Sequence, residues 1–168
     1  MRRVLFCCAC LPAAAPAEPQ PLFDTHLHYT SADAKQLDPG QIIELLRDSG
    51  VERALVSGTP PGLAARLQRR APELILPLLG VYRTPADKQN WHQDRELPER
   101  VAAWLRQGDW RGIGELHLFA PQRRSPVFLA IARLAVQHRL PLLLHTDPAV
   151  VDSLFEQLPK VQVIWAHA

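Results

Sequence analysis

The chain has 168 residues, 47% of them hydrophobic and 21% charged, with a formal net charge of +2; this is ordinary globular composition, enough for one substantial core, and it excludes a chain disordered throughout. All three cysteines, Cys7, Cys8 and Cys10, fall at the N-terminus, so a disulfide framework, a thiol nucleophile and a thiolate metal site are excluded from everything that follows. The charge excess lies there too: without Arg2 and Arg3, Lys plus Arg falls from 19 to 17 and equals the 17 Asp plus Glu, which leaves no electrostatic footprint for nucleic acid.

Met1-Arg2-Arg3 is basic, residues 4–11 are apolar and residues 13–17 are rich in alanine, the three-part layout of a secretory signal peptide. Residues 1–17 are expected to be removed after Ala15-Pro16-Ala17, leaving 18–168 as the mature domain of a periplasmic or secreted protein. So short an apolar run does not span a bilayer as a permanent helix. The first strand then carries Phe23-Asp24-Thr25-His26-Leu27-His28. Its period-two alternation puts Asp24, His26 and His28 on one face, with two imidazoles close enough to share one ion.

Asp38-Pro39-Gly40-Gln41 reads as a helix start, with Asp at the N-cap, Pro at the first helical position and Gln closing a capping box; Gly50 stops that helix. Residues 53–57 are a second strand, 61–71 a second helix, and 74–82 a continuous apolar run expected as a strand buried on both faces. The pattern continues with a helix over 97–110, a strand over 112–119, a helix capped by Ser125 and running to about 139, and a strand over 140–145. A helix opened by Asp147 and Pro148 and a strand over 161–167 complete it. Six strands alternating with five helices predict a parallel α/β fold.

On this ladder the polar chemistry collects at strand C-termini: His26 and His28 on the first, Glu115 and His117 on the fourth, His145 on the fifth, His167 on the sixth. In a parallel barrel those ends surround one mouth, where active sites sit. Neutral imidazoles and one carboxylate converging in a recess suit Zn²⁺, with Mn²⁺, Fe²⁺ or Ni²⁺ at similar geometry.

The motifs Asp24-Thr25-His26-Leu27-His28, Gly112-Ile113-Gly114-Glu115-Leu116-His117, Leu144-His145-Thr146-Asp147 and Trp165-Ala166-His167 resemble, in order, the strand-end motifs of the amidohydrolase superfamily, in particular its amidohydrolase-related branch. The resemblance implies a TIM-type (β/α)8 barrel, of which about six units are present, and a site holding one or two divalent ions, with Zn²⁺ expected. It implies His26 and His28 as ligands of a first metal, Glu115 as the bridging carboxylate, His145 as a ligand, and His167 as a ligand or an orienting, catalytic group. Asp24, on the face of the two histidines, either supports the site from behind or satisfies backbone donors. The family completes its centre with an aspartate after strand eight; the chain stops after strand six, where a full barrel takes about 250 residues, so the sequence reads as part of a longer one.

What this predicts is a hydrolase in which metal-activated water attacks an amide, ester or lactone-like bond of a small molecule, with no nucleic-acid partner and with self-association into a homo-oligomer left open. Three alternatives stand beside it: a metal-dependent non-oxidative decarboxylase, a nuclease resembling the TatD-like deoxyribonucleases, which also use a strand-four glutamate, and an inactive, metal-free fragment. Residues 84–96, the longest loop, are read as a lid with Trp91 facing substrate. His117 and Arg123, at the same mouth, are the other expected substrate contacts, Arg123 for an anionic group.

Overall fold

A computed structural model describes residues 20–167; the segment expected to be a signal peptide, with its cysteines, lies outside the described residues. Strands β1 (Leu22–Thr30), β2 (Val51–Thr59), β3 (Ile75–Leu79), β4 (Gly112–His117), β5 (Leu142–His145) and β6 (Val163–Ala166) form one sheet in the order of the chain. Every neighbouring pair is parallel. Helices α1 (Pro39–Asp48), α2 (Gly62–Arg70), α3 (Leu97–Leu105), α4 (Pro126–His138) and α5 (Pro148–Gln157) make the connections.

The sheet curls. Leu55 of β2, Leu78 of β3, Leu143 of β5 and Ala166 of β6 pack in one buried cluster, although β2 and β6 would stand about 19 Å apart in a flat sheet. Contact among them requires a concave face, so the fold is α/β with six units of a TIM-type barrel. The convex side is covered by helices: Phe128, Ile131, Ala132 and Ala135 of α4 lie against Leu116 and Leu142. Burial of Phe128, Ile131, Leu116 and Leu142, each fully enclosed, contributes about 1.5–3 kcal/mol apiece. A second cluster joins Ala54, Val56 and Ile75 to Leu63 and Leu67 of α2 and Ile43 and Leu46 of α1. Among the described residues no helix is long and apolar enough to cross a membrane.

The helix signals resolve in different ways. Asp38 accepts from Gly40 N–H at 2.6 Å and Gln41 N–H at 3.1 Å, while Gln41 Oε1 accepts the Asp38 N–H at 2.8 Å, so the expected capping box forms. Ser125 caps α4 through Phe128 N–H at 3.3 Å. The third helix stops at Leu105 and not near Trp110, because the chain turns at Gly108 and Trp110 folds back, its Nε1–H donating to the Trp104 carbonyl at 2.9 Å. The strand expected over 74–82 ends at Leu79; beyond it the Gly80 N–H donates to the Leu78 carbonyl and Val81 and Tyr82 leave the sheet. That departure carries Tyr82 beneath the end of β4.

Candidate metal centre

At the C-terminal rim, β4 delivers Glu115 into the concavity with its side chain 3% exposed. Period-two parity fixes the direction: Leu116 packs outward under the helices while Glu115 and His117 turn inward. The β4–β5 register shifts between Gly114 and Leu116, and the main-chain groups freed there are taken up from across the barrel. Ser57 of β2 accepts the Glu115 N–H at 3.1 Å and donates to the Gly114 carbonyl at 2.8 Å. Gly114 has φ +140°, and a Cβ there would collide with the Leu143 carbonyl oxygen, so the bulge that aims Glu115 requires glycine.

Four imidazoles close on this carboxylate. Oε1 is 3.0 Å from His26 Nε2 and 3.2 Å from His145 Nδ1; Oε2 is 3.2 Å from His117 Nε2 and 3.4 Å from His28 Nε2. His26 and His28 present their Nε2 atoms 3.0 Å apart, near the roughly 3.3 Å edge of a tetrahedral site with metal–nitrogen bonds of about 2.0–2.1 Å. His117 and His145 are direct partners in the β4–β5 register, and their rings stack at 4.6 Å. His167 sits between the two pairs, its ring 5.1 Å from that of His26 and 5.0 Å from that of His145. Asp24 Oδ1 accepts the His26 N–H at 2.9 Å, tying down the strand that carries the ligand pair.

Electrostatics set the protonation states. Burial alone favours neutral Glu115, but the His28 hydrogen bond and the fields of His117 and His26 outweigh it and hold the carboxyl down at about 2. Burial lowers His117 to about 4 against the pull of Glu115, and burial likewise lowers His26. One ionised carboxylate beside His117 and His26, both held below the usual imidazole value, is a donor set for a borderline divalent cation. Two overlapping triads are within ligating reach, His26-His28-Glu115 and Glu115-His117-His145; bare of a cation, two facing imidazole nitrogens share at most one hydrogen, so the donors fit a metal better than they fit one another.

One expected substrate contact falls elsewhere, and a second is engaged within its own loop. Trp91 is 3% exposed, packs edge-on against Phe128 and donates its Nε1–H to the His117 carbonyl at 2.8 Å. It is a core residue bracing β4, and the loop around it holds short helical turns at Pro85–Gln89 and Trp91–Gln93. Arg123 donates Nη1–H to the Ala120 carbonyl at 2.7 Å, within its own loop. Asp147, expected as the cap of α5, makes no cap bond; its Oδ2 accepts the Ala120 N–H at 2.8 Å. His117, expected at substrate, faces Glu115. Sequence reasoning passed over Ser57 and Tyr82. Ser57 could have been singled out as the hydroxyl that follows the apolar run Ala54 to Val56 of β2; Tyr82 closes an apolar run and carried no signal.

The family model for TatD related DNase matches residues 23–158. That span runs from β1 through α5 and holds His26, His28, Glu115, His117 and His145. No curated protein matches the chain. The family match overturns the expectation of a small-molecule substrate and no nucleic-acid partner, since the family is named for action on DNA. The net charge omits one contribution: a divalent cation held in such a site would be its largest local charge and would attract phosphate whatever the Lys and Arg balance. With most of its length matched, and a His/Glu cluster of the right chemistry within the match, the chain belongs to the TatD related DNase family of metal-dependent hydrolases, related to the amidohydrolase superfamily.

Proposed function

We propose that the protein hydrolyses phosphodiester bonds of DNA with divalent metal held by the Glu115 cluster. The observation that carries this reading is one buried carboxylate shared between two imidazole sets, inside the span matched by the family. His26, His28 and Glu115 would hold one ion, and Glu115 with His145 a second. When bound, such ions lower the pKa of a water and neutralise charge on an attacked phosphate. The donor set favours Zn²⁺.

The chain's own groups divide the remaining work. Glu115, held at about 2, stays ionised at neutral pH and is a poor proton acceptor, so it serves as charge and ligand. His167, exposed between His26 and His145, is the group we assign to carry a proton at the mouth. Asp24 steadies His26.

The test is cleavage of end-labelled single- and double-stranded DNA by purified protein. Cleavage should vanish with chelator, return with added Zn²⁺ or Mn²⁺, and be absent in Glu115→Gln. Protein that holds metal stoichiometrically yet leaves both substrates intact would overturn the reading. We further propose export, on the composition of residues 1–17; the intact mass of the protein from its own source should correspond to a chain starting at Glu18.

A further inference from the structure

His117 is held at three points. Its N–H donates to Tyr82 Oη at 2.7 Å, its carbonyl accepts from Trp91 Nε1–H at 2.8 Å, and its ring Nδ1 lies 3.3 Å from the same Tyr82 Oη. Tyr82 and Trp91 are each 3% exposed. The far ring nitrogen, Nε2, is 3.2 Å from Glu115 Oε2. Geometry alone leaves two roles for that nitrogen: a lone pair for a metal, or a hydrogen for the carboxylate.

Hydrogen counting decides between them. A tyrosine hydroxyl has one hydrogen to give and lone pairs to receive. Tyr82 receives the main-chain N–H of His117, and among the described residues the other polar atom in reach of its oxygen is His117 Nδ1. If Nδ1 carried the ring hydrogen, the hydroxyl would receive two and its own hydrogen would be buried without an acceptor, which folded proteins avoid. The hydroxyl therefore donates to Nδ1, and the neutral ring carries its hydrogen on Nε2, aimed at Glu115.

We infer that Tyr82 is a positioning residue that locks His117 in the Nε2–H form, so that His117 orients Glu115 as a hydrogen-bond donor and is not a metal ligand. This separates two residues that lie equally near the carboxylate: His145 remains a ligand, while His117, stacked on it, steers the bridging oxygen. The inference rests on the cluster being a metal centre, and its test keeps the two ideas apart.

The measurement is long-range ¹H–¹⁵N correlation NMR of histidine-labelled full chain, metal-free and after Zn²⁺ addition, with His117→Gln to assign the signal. Expected is a protonated Nε2 and an unprotonated Nδ1 for His117 in both states, while His26 and His28 shift on Zn²⁺ addition. A proton on Nδ1, or loss of the Nε2 proton with Zn²⁺, overturns the inference. If His26 and His28 do not respond to Zn²⁺ the metal reading fails, and the metal-free tautomer still decides the role of Tyr82. In Zn²⁺ titrations, His117→Gln, which keeps an N–H donor, should bind the same number of ions as the parent; loss of one equivalent would make His117 a ligand. Tyr82→Phe should give mixed tautomers and weaken Zn²⁺ binding about 10–100-fold, as loss of an outer partner does.

Discussion

Ser57 and Glu115 stand on strands that do not touch, β2 and β4, yet one hydroxyl joins them: Ser57 Oγ accepts the Glu115 N–H at 3.1 Å and donates to the neighbouring Gly114 carbonyl at 2.8 Å. Ser57 is 5% exposed, so water cannot replace it. Ser57→Ala should leave a buried donor and a buried acceptor unpaired, costing about 1–3 kcal/mol for such a group. The same substitution should weaken metal binding about 10–100-fold. Chemical denaturation and Zn²⁺ titration measure the two effects; unchanged metal affinity in a folded variant would show that Glu115 is aimed by other means.

Glu115→Gln keeps the shape of the side chain and removes its charge. Since both triads include this residue, the loss should reach both metal positions and exceed the roughly 100-fold that an outer partner is worth. Metal content after dialysis, measured by mass spectrometry, should fall to background. Retention of one full equivalent would mean that Glu115 does not bridge.

Gly114→Ala should be more damaging than its size suggests. The added Cβ meets the Leu143 carbonyl and Leu143 Cβ, at a φ of +140° that side chains rarely adopt. Overpacking of this kind costs about 1–3 kcal/mol, and the main chain cannot relax without withdrawing Glu115. Thermal unfolding and metal content should therefore fall together.

Acid should loosen the segment after β3 before it unfolds the barrel. Asp87 Oδ2 accepts the N–H groups of Arg83 at 2.8 Å and Thr84 at 3.0 Å, and the Thr84 bond, working against burial, leads the interactions that lower its pKa. A carboxyl whose folded pKa is depressed contributes stability above its unfolded value of about 3.9, and that contribution is lost as pH falls through the folded value. Protection factors for hydrogen exchange across residues 83–90, corrected for the intrinsic pH dependence of exchange, should fall below about pH 4. Asp87→Asn should show low protection at every pH and lose this acid dependence; an unchanged profile would dismiss the role.

Much of the architecture was readable because it rests on local rules. Alternation on β1 and β4 put His26, His28, Glu115 and His117 on the correct face, and Asp38 with Gln41 announced the start of α1. What failed to show was long-range. Tyr82 and Trp91 act by reaching the two main-chain polar groups of His117, 35 and 26 residues away, and no local pattern encodes such a meeting. Trp91 looked like a lid residue because its loop is polar, whereas it packs against Phe128 of α4 in the core on the helix side of the sheet. Net charge misdirected the substrate class for a related reason: it counts the chain and omits any cation that the His/Glu cluster would hold.

The loops around the mouth are fastened in series. Trp91 holds the His117 carbonyl, Thr146 Oγ1 holds the Leu118 carbonyl at 2.7 Å, Asp147 holds the Ala120 N–H, and Trp165 Nε1 holds the Thr146 carbonyl at 2.9 Å. Every link ends on main chain, which all residue types share. Side chains that line the opening can therefore be exchanged without untying the frame beneath them. A rim built in this way is free to diverge towards new substrates, generation by generation, while the ring of histidines below keeps its place.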